Sequence, residues 1–236
     1  MRTRVSLAGV AVWAALVVPA TAATVSFSFT GSGGQGSSGN SLVFTDQNGS
    51  GITATVKAFS NTGTSSTLAA AALGQWGSGL GVCNSVEVAG GCGTSSPLWE
   101  HTVSNTQSTD MVLIVFSSAI NLGNLSLSAY NGADVSYFAG NLTGSVSGKA
   151  LTNSALNGIG LGNQQTGSGT SIGLSGNNVT ALLVGARIGH SNDGFKISAL
   201  SGTTTGNTGN SVPEPTTYAM MGAALLLIGM AKRKLN

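Results

Sequence analysis

Along residues 24–29 apolar and polar side chains alternate one for one: Thr24-Val25-Ser26-Phe27-Ser28-Phe29 sets Val25, Phe27 and Phe29 on one face and hydroxyls on the other. A period of two is that of a half-buried β-strand, because successive side chains of an extended chain point to opposite faces. Residues 52–59, 125–130 and 195–200 repeat the pattern. Residues 111–116 and 181–184 are near-continuous apolar runs, as expected of central strands covered on both faces. Gly, Asn and Ser clusters at 31–40, 61–66, 153–169 and 202–210 separate them. Only 67–73 has a helical look, and seven residues make at most two turns. Many short strands with turn-rich joints predict an all-β fold, a two-sheet antiparallel β-sandwich of jelly-roll type spanning 23–201.

Two apolar runs stand outside this alternation. At the start, Arg2 and Arg4 precede the apolar stretch 5–18, which Ala20-Thr21-Ala22 closes. That order predicts a signal peptide over 1–22, removed by signal peptidase to leave Ala23 first. At the other end, residues 218–231 carry no charge. As a helix they span about 21 Å, and flanking threonines with snorkelling lysines bring this close to a bilayer core of about 30 Å. The basic residues Lys232, Arg233 and Lys234 should stay cytoplasmic and leave the body of the chain outside. Pro213 and Pro215 hold Glu214 on an extended, accessible stretch, and 202–211 reads as a flexible linker before it.

Val212-Pro213-Glu214-Pro215, an apolar run and a basic end, in that order, resemble the PEP-CTERM sorting signal of Gram-negative bacterial proteins. The resemblance covers residues 212–236, about a tenth of the chain. It implies handling by an exosortase, a membrane-embedded transpeptidase-like enzyme. It also implies export across the inner membrane to the envelope, surface or extracellular matrix, with membrane contact through the tail before processing. A plain C-terminal anchor that is never cut is the alternative.

Charge narrows the partners. The whole chain has a formal net charge of +2, but the ends account for it. Between them stand Lys57, Lys149, Arg187 and Lys196 against Asp46, Glu87, Glu100, Asp110, Asp134 and Asp193, a net −2. Nucleic acid is excluded as a partner, since phosphate neutralisation needs clustered Lys and Arg. A surface of Ser, Thr, Asn, Gln and Gly suits hydrogen bonding to sugars and to neighbouring chains. It is equally the ordinary surface of extracellular β-proteins. Two cysteines, Cys83 and Cys92, in an exported domain predict a disulfide. The loop so closed would stabilise the fold by roughly 2–3 kcal/mol.

Catalytic chemistry has little to work with. The imidazoles are His101 and His190, and no nucleophile elbow, H-E-x-x-H or C-x-x-C motif occurs. A role for His101 with Glu87 or Asp110 has no supporting spacing. Gly31, Gly33 and Gly36 satisfy G-x-G-x-x-G, but the Ser-Ser-Gly-Asn that follows cannot open the helix a dinucleotide site needs, so the match predicts a hairpin loop. Glu87, Asn105, Asp110 and Asp193 are oxygen ligands of the kind Ca²⁺ takes; the competing reading makes them turn and strand-start residues. Trp76, Trp99, Tyr130 and Tyr137 are candidates for stacking on sugar rings, against the commoner role of aromatics as core.

Gly79-Leu80-Gly81-Val82, His101-Thr102-Val103-Ser104-Asn105, the strand ending at Phe116, and Asp193-Gly194-Phe195-Lys196-Ile197 are together similar to a group of exosortase-dependent surface proteins. Ser104 stands where that group has Asp, which weakens any metal site carried over. This likeness implies a non-catalytic surface or matrix β-sandwich. The expectation is therefore a structural or adhesive protein of exopolysaccharide or biofilm, without catalytic residues or an obligate cofactor. A carbohydrate-binding module, with Ca²⁺ assisting, is the alternative; an extracellular hydrolase ranks last.

Overall fold

Alternation resolves into strands whose hydroxyl faces meet solvent and whose apolar faces meet one another. In the computed structural model, residues 22–31, 39–61, 66–84 and 101–205 are described, and all belong to one compact unit. In chain order they form β1 (Thr24–Ser28), β2 (Ser41–Thr45), β3 (Thr53–Ser60), β4 (Ala69–Ala70), β5 (Ala72–Trp76), β6 (Gly79–Cys83) and β7 (Val103–Ser104). Then follow β8 (Asp110–Gly132), β9 (Asp134–Gly140), α1 (Asn153–Asn157), β10 (Gln165–Ser168), β11 (Ser171–Gly173), β12 (Val179–Ala186) and β13 (Gly194–Thr204). The predicted signal peptide up to Thr21, the linker beyond Thr205 and the sorting signal lie outside the described residues. Among the described residues no helix is long and apolar enough to cross a membrane.

All thirteen strands pair antiparallel in one hydrogen-bonded sheet rather than two separate ones. The cause is β8, 23 residues long. Its first part, through Phe116, lies between β3 and β12. Its second part, from Ile120, lies between β13 and β11. Small residues Ser117, Ser118 and Ala119 stand at the changeover. The sheet doubles over there, so Phe116 of the first half stacks on Phe27 of β1, which pairs with β13 in the second half (centroids 6.0 Å). Val56, Ile114, Leu182 and Val184 from one half, with Phe27, Leu125, Phe195 and Ile197 from the other, form the main core. Each such fully buried side chain contributes about 1.5–3 kcal/mol.

The first half is also covered outside. Met111, Leu113, Phe138, Ala181 and Leu183 pack against Val146, Leu156, Ile159 and Leu161, from the segment containing α1. Residues 111–116 and 181–184 are thus buried on both faces, as their apolar runs predict. α1 falls within 153–169, a stretch expected to be a loop, and Thr152 caps it by accepting from the Ala155 amide (3.3 Å).

Three further expectations are corrected. Residues 67–73 are strand: Thr67 bridges Ala150, Ala69–Ala70 pair with β3, and β5 begins at Ala72. Leu68 enters the outer core and Leu73 the main core. Burying both decides the conformation, because a helix this short cannot stand on propensity alone. The strands flanking residues 31–40 do not form a hairpin with each other, for β1 pairs with β13 and β2 with β3. Finally, Gly202, Thr203 and Thr204 belong to β13 rather than to the linker, pairing with β8 and, at Gly202 and Thr203, with β1 as well. Gly202 has no room for a side chain there: a Cβ would overlap the Asn121 carbonyl.

Candidate functional site

One region of the sheet gathers most of the residues that carry chemistry. Its floor is β6, Gly79-Leu80-Gly81-Val82-Cys83, buried throughout. Leu80 and Val82 face the main core. Gly79 (φ +123°) and Gly81 let backbones meet: a Cβ at Gly79 would overlap the Ile197 carbonyl, and one at Gly81 the His101 carbonyl. The Trp76 indole lies over Gly74 and Gly81. These contacts supply a physical reason for glycine in the Gly-Leu-Gly-Val stretch.

Trp76 is already occupied. His101 stacks on it (centroids 5.2 Å, interplanar angle 21°), and the Lys196 ammonium sits 4.2 Å from its ring centroid and 5.3 Å from that of Tyr130. Lys196 is 2% exposed and has no carboxylate partner among the described residues. Burial pushes its pKa down, while the two ring quadrupoles hold the ammonium. Cys83 is disulfide-bonded, and the chain's other cysteine, Cys92, lies outside the described residues. Cys83 Sγ is 3.2 Å from His101 Nδ1.

Two hydrogen-bond networks tie the loops around this floor. Asp110, fully buried at the start of β8, accepts from Asn84 Nδ2 (3.0 Å), the Ser104 amide (3.2 Å) and Ser104 Oγ (3.4 Å). Asn84 Nδ2 also reaches Ser108 Oγ (2.9 Å), which Ser60 Oγ joins at 3.0 Å. In the second network Asn105 Nδ2 donates to Asp193 Oδ2 (2.7 Å) and to the Arg187 carbonyl (3.0 Å), and Asn105 Oδ1 accepts the Asp193 amide (2.8 Å). Asn105 and Asp193 are thus brought together, Asp110 belongs to the other network, and Glu87 lies outside the described residues. The described members do not fit a Ca²⁺ shell. Asn105 spends its oxygen on a backbone amide, and among the described residues no three His, Cys, Asp or Glu side chains converge. Their visible work is pinning loops.

The expected aromatic platform also divides. Tyr137 is 3% exposed on β9, donating to Gln165 Oε1 (2.9 Å) and accepting from the Ser175 amide (3.0 Å), so it is core. Trp99 lies outside the described residues. Tyr130 alone of the described three stands well out, 41% exposed, its hydroxyl 2.8 Å from Ser78 Oγ. It borders a pocket of about 400 Å³ lined also by Asn131, Asn192, Asp193, Thr102 and Thr106. Asn192 adopts φ +71°, a left-handed conformation that Asn tolerates better than most residues. Asn131 and Lys196 were not candidates from the sequence. An Asn near a strand end and a Lys in an alternating strand carry no signal until the fold sets them beside Tyr130.

The chain matches no family model, no curated protein and no solved structure.

Proposed function

We propose that this protein is exported, sorted by an exosortase through the Pro-Glu-Pro tail, and serves without catalysis as a structural or adhesive component of the cell surface or exopolysaccharide matrix. Its doubled sheet is read as a jelly-roll-like sandwich, an architecture suited to passive display. The observation that carries the reading concerns where the fold begins. Ala23, the residue that signal-peptide cleavage would leave first, is already bonded into the fold. Its nitrogen donates to Thr204 Oγ1 (3.0 Å) and its carbonyl accepts the Thr204 amide (2.8 Å). Ala23 and Thr204 thus pair near the two ends of the described fold, and among the described residues a cut after Ala22 breaks no ladder bond. The carboxylates described above support a non-catalytic role, since they hold loops by bonds to amides and hydroxyls.

Intact mass and cell fraction, measured with and without the exosortase, test the reading. A chain from Ala23 to a point within Val212–Pro215 is expected only where the exosortase is present. A chain ending at Asn236 in both strains would overturn the sorting claim.

A further inference from the structure

We propose that the pocket between Tyr130 and Asp193 is a binding site for a neutral pyranose unit of a polysaccharide. Its volume, about 400 Å³, lies within the range of small-molecule sites. Asp193 is 6% exposed, and only one of its carboxylate oxygens is used: Oδ2 takes the Asn105 amide hydrogen, while Oδ1 receives no hydrogen bond from a described residue. A carboxylate only accepts, with room for about four hydrogen bonds; Oδ1 is open to solvent, because no buried side-chain oxygen among the described residues lacks a partner, and it can take donors from a ligand. A vicinal diol supplies such donors. Beside it Tyr130 presents an exposed ring steadied by Ser78 Oγ and the Lys196 ammonium, a flat apolar surface for the C–H face of a sugar. Asn131 and Asn192 line the same pocket with amides that both donate and accept.

Charge selects the ligand class. Among the described residues Asp193 is the one charged side chain in the lining, and Lys196 is too buried to neutralise an incoming anion. Uronates and phosphates are therefore disfavoured, and a lone carboxylate is too little for a divalent cation. This site deepens the matrix role proposed above, on which it rests for the polymer it meets. Mass reads sorting and titration reads the pocket, so either can fail alone.

The test is calorimetric titration of the full chain, purified in mild detergent, with neutral gluco-, manno- and galacto-hexaoses and with an alginate hexamer as the acidic probe. Asp193→Asn keeps an oxygen facing Asn105 but turns the free acceptor into a donor, and Tyr130→Ala removes the exposed ring. At least one neutral hexaose is expected to bind, and each variant to weaken it about tenfold or more while its circular dichroism shows it still folded. The proposal is overturned if no neutral hexaose binds, if both variants bind like the parent, or if alginate binds in preference.

Discussion

Replacing Asn105 by aspartate exchanges a nitrogen for an oxygen at the centre of the loop lock, and a metal-ligand role and a locking role predict opposite results. In the structure Asn105 Nδ2 makes two bonds, to Asp193 Oδ2 at 2.7 Å and to the Arg187 carbonyl at 3.0 Å. The first, to a charged acceptor, contributes about 1.5–3 kcal/mol and the second about 1. Asn105→Asp removes both and sets two carboxylates face to face. Two unit charges 4 Å apart repel by about 4 kcal/mol at the effective dielectric of a protein surface. Loop displacement or a shared proton will relieve part of this, so the expected loss at pH 7 is about 3–5 kcal/mol, a large share of a typical domain's 5–15 kcal/mol. A shared proton binds more tightly in the folded state, which raises the folded pKa above the unfolded value of about 3.9. The penalty is then full at neutral pH and shrinks as pH falls through that raised pKa. Urea unfolding followed by tryptophan fluorescence, at pH 7 and near pH 4.5, with Ca²⁺ or with EDTA, measures it. A variant within about 1 kcal/mol of the parent at pH 7, or one rescued by Ca²⁺, would refute the locking role.

Gly81→Ala should destabilise by about 3 kcal/mol, because its Cβ would overlap the His101 carbonyl; a shifted urea midpoint with altered near-ultraviolet circular dichroism from Trp76 would register it. Lys196→Met should stabilise by about 1 kcal/mol at pH 7, as burial penalises the ammonium more than the Trp76 and Tyr130 rings repay. Because the folded pKa lies below 10.5, the unfolded chain binds more protons between the two values. The parent therefore gains stability across that window, and the gap to the variant closes as pH rises through it; a variant less stable than the parent at pH 7 would reverse the balance of the two effects. Asp46 is subject to burial, which pushes its pKa up, but amide donors from Ser26, Ser50 and Asn48 and the Ser50 hydroxyl hold it below the usual range. Asp46→Asn should cost about 1–2 kcal/mol at pH 7, and the difference should vanish as pH falls below about 4 through the depressed folded pKa, as urea titrations at stepped pH would show.

Strand character was legible in the sequence because side-chain parity is a local property. Val25, Phe27 and Phe29 face one way whatever they meet, and the unbroken apolar run 111–116 already requires cover on both faces. Which elements supply that cover is not local. The 111–116 and 125–130 segments read as two strands, and only their pairing with β3, β12, β13 and β11 makes them the single β8 on which the sheet doubles. Residues 67–73 were pulled from helix to strand by two leucines entering different cores, and Gly202–Thr204 from linker to strand by partners on both sides. The candidate site follows the same division. Residue types announced Asp193, Asn105 and Tyr130 as able to do chemistry. That Asn105 meets Asp193 across 88 residues of chain, that Lys196 and His101 occupy Trp76, and that Tyr137 is core while Tyr130 is exposed were decided by tertiary contacts. A side chain's chemistry belongs to its residue, but which of its faces stays free depends on neighbours that only the folded chain brings near.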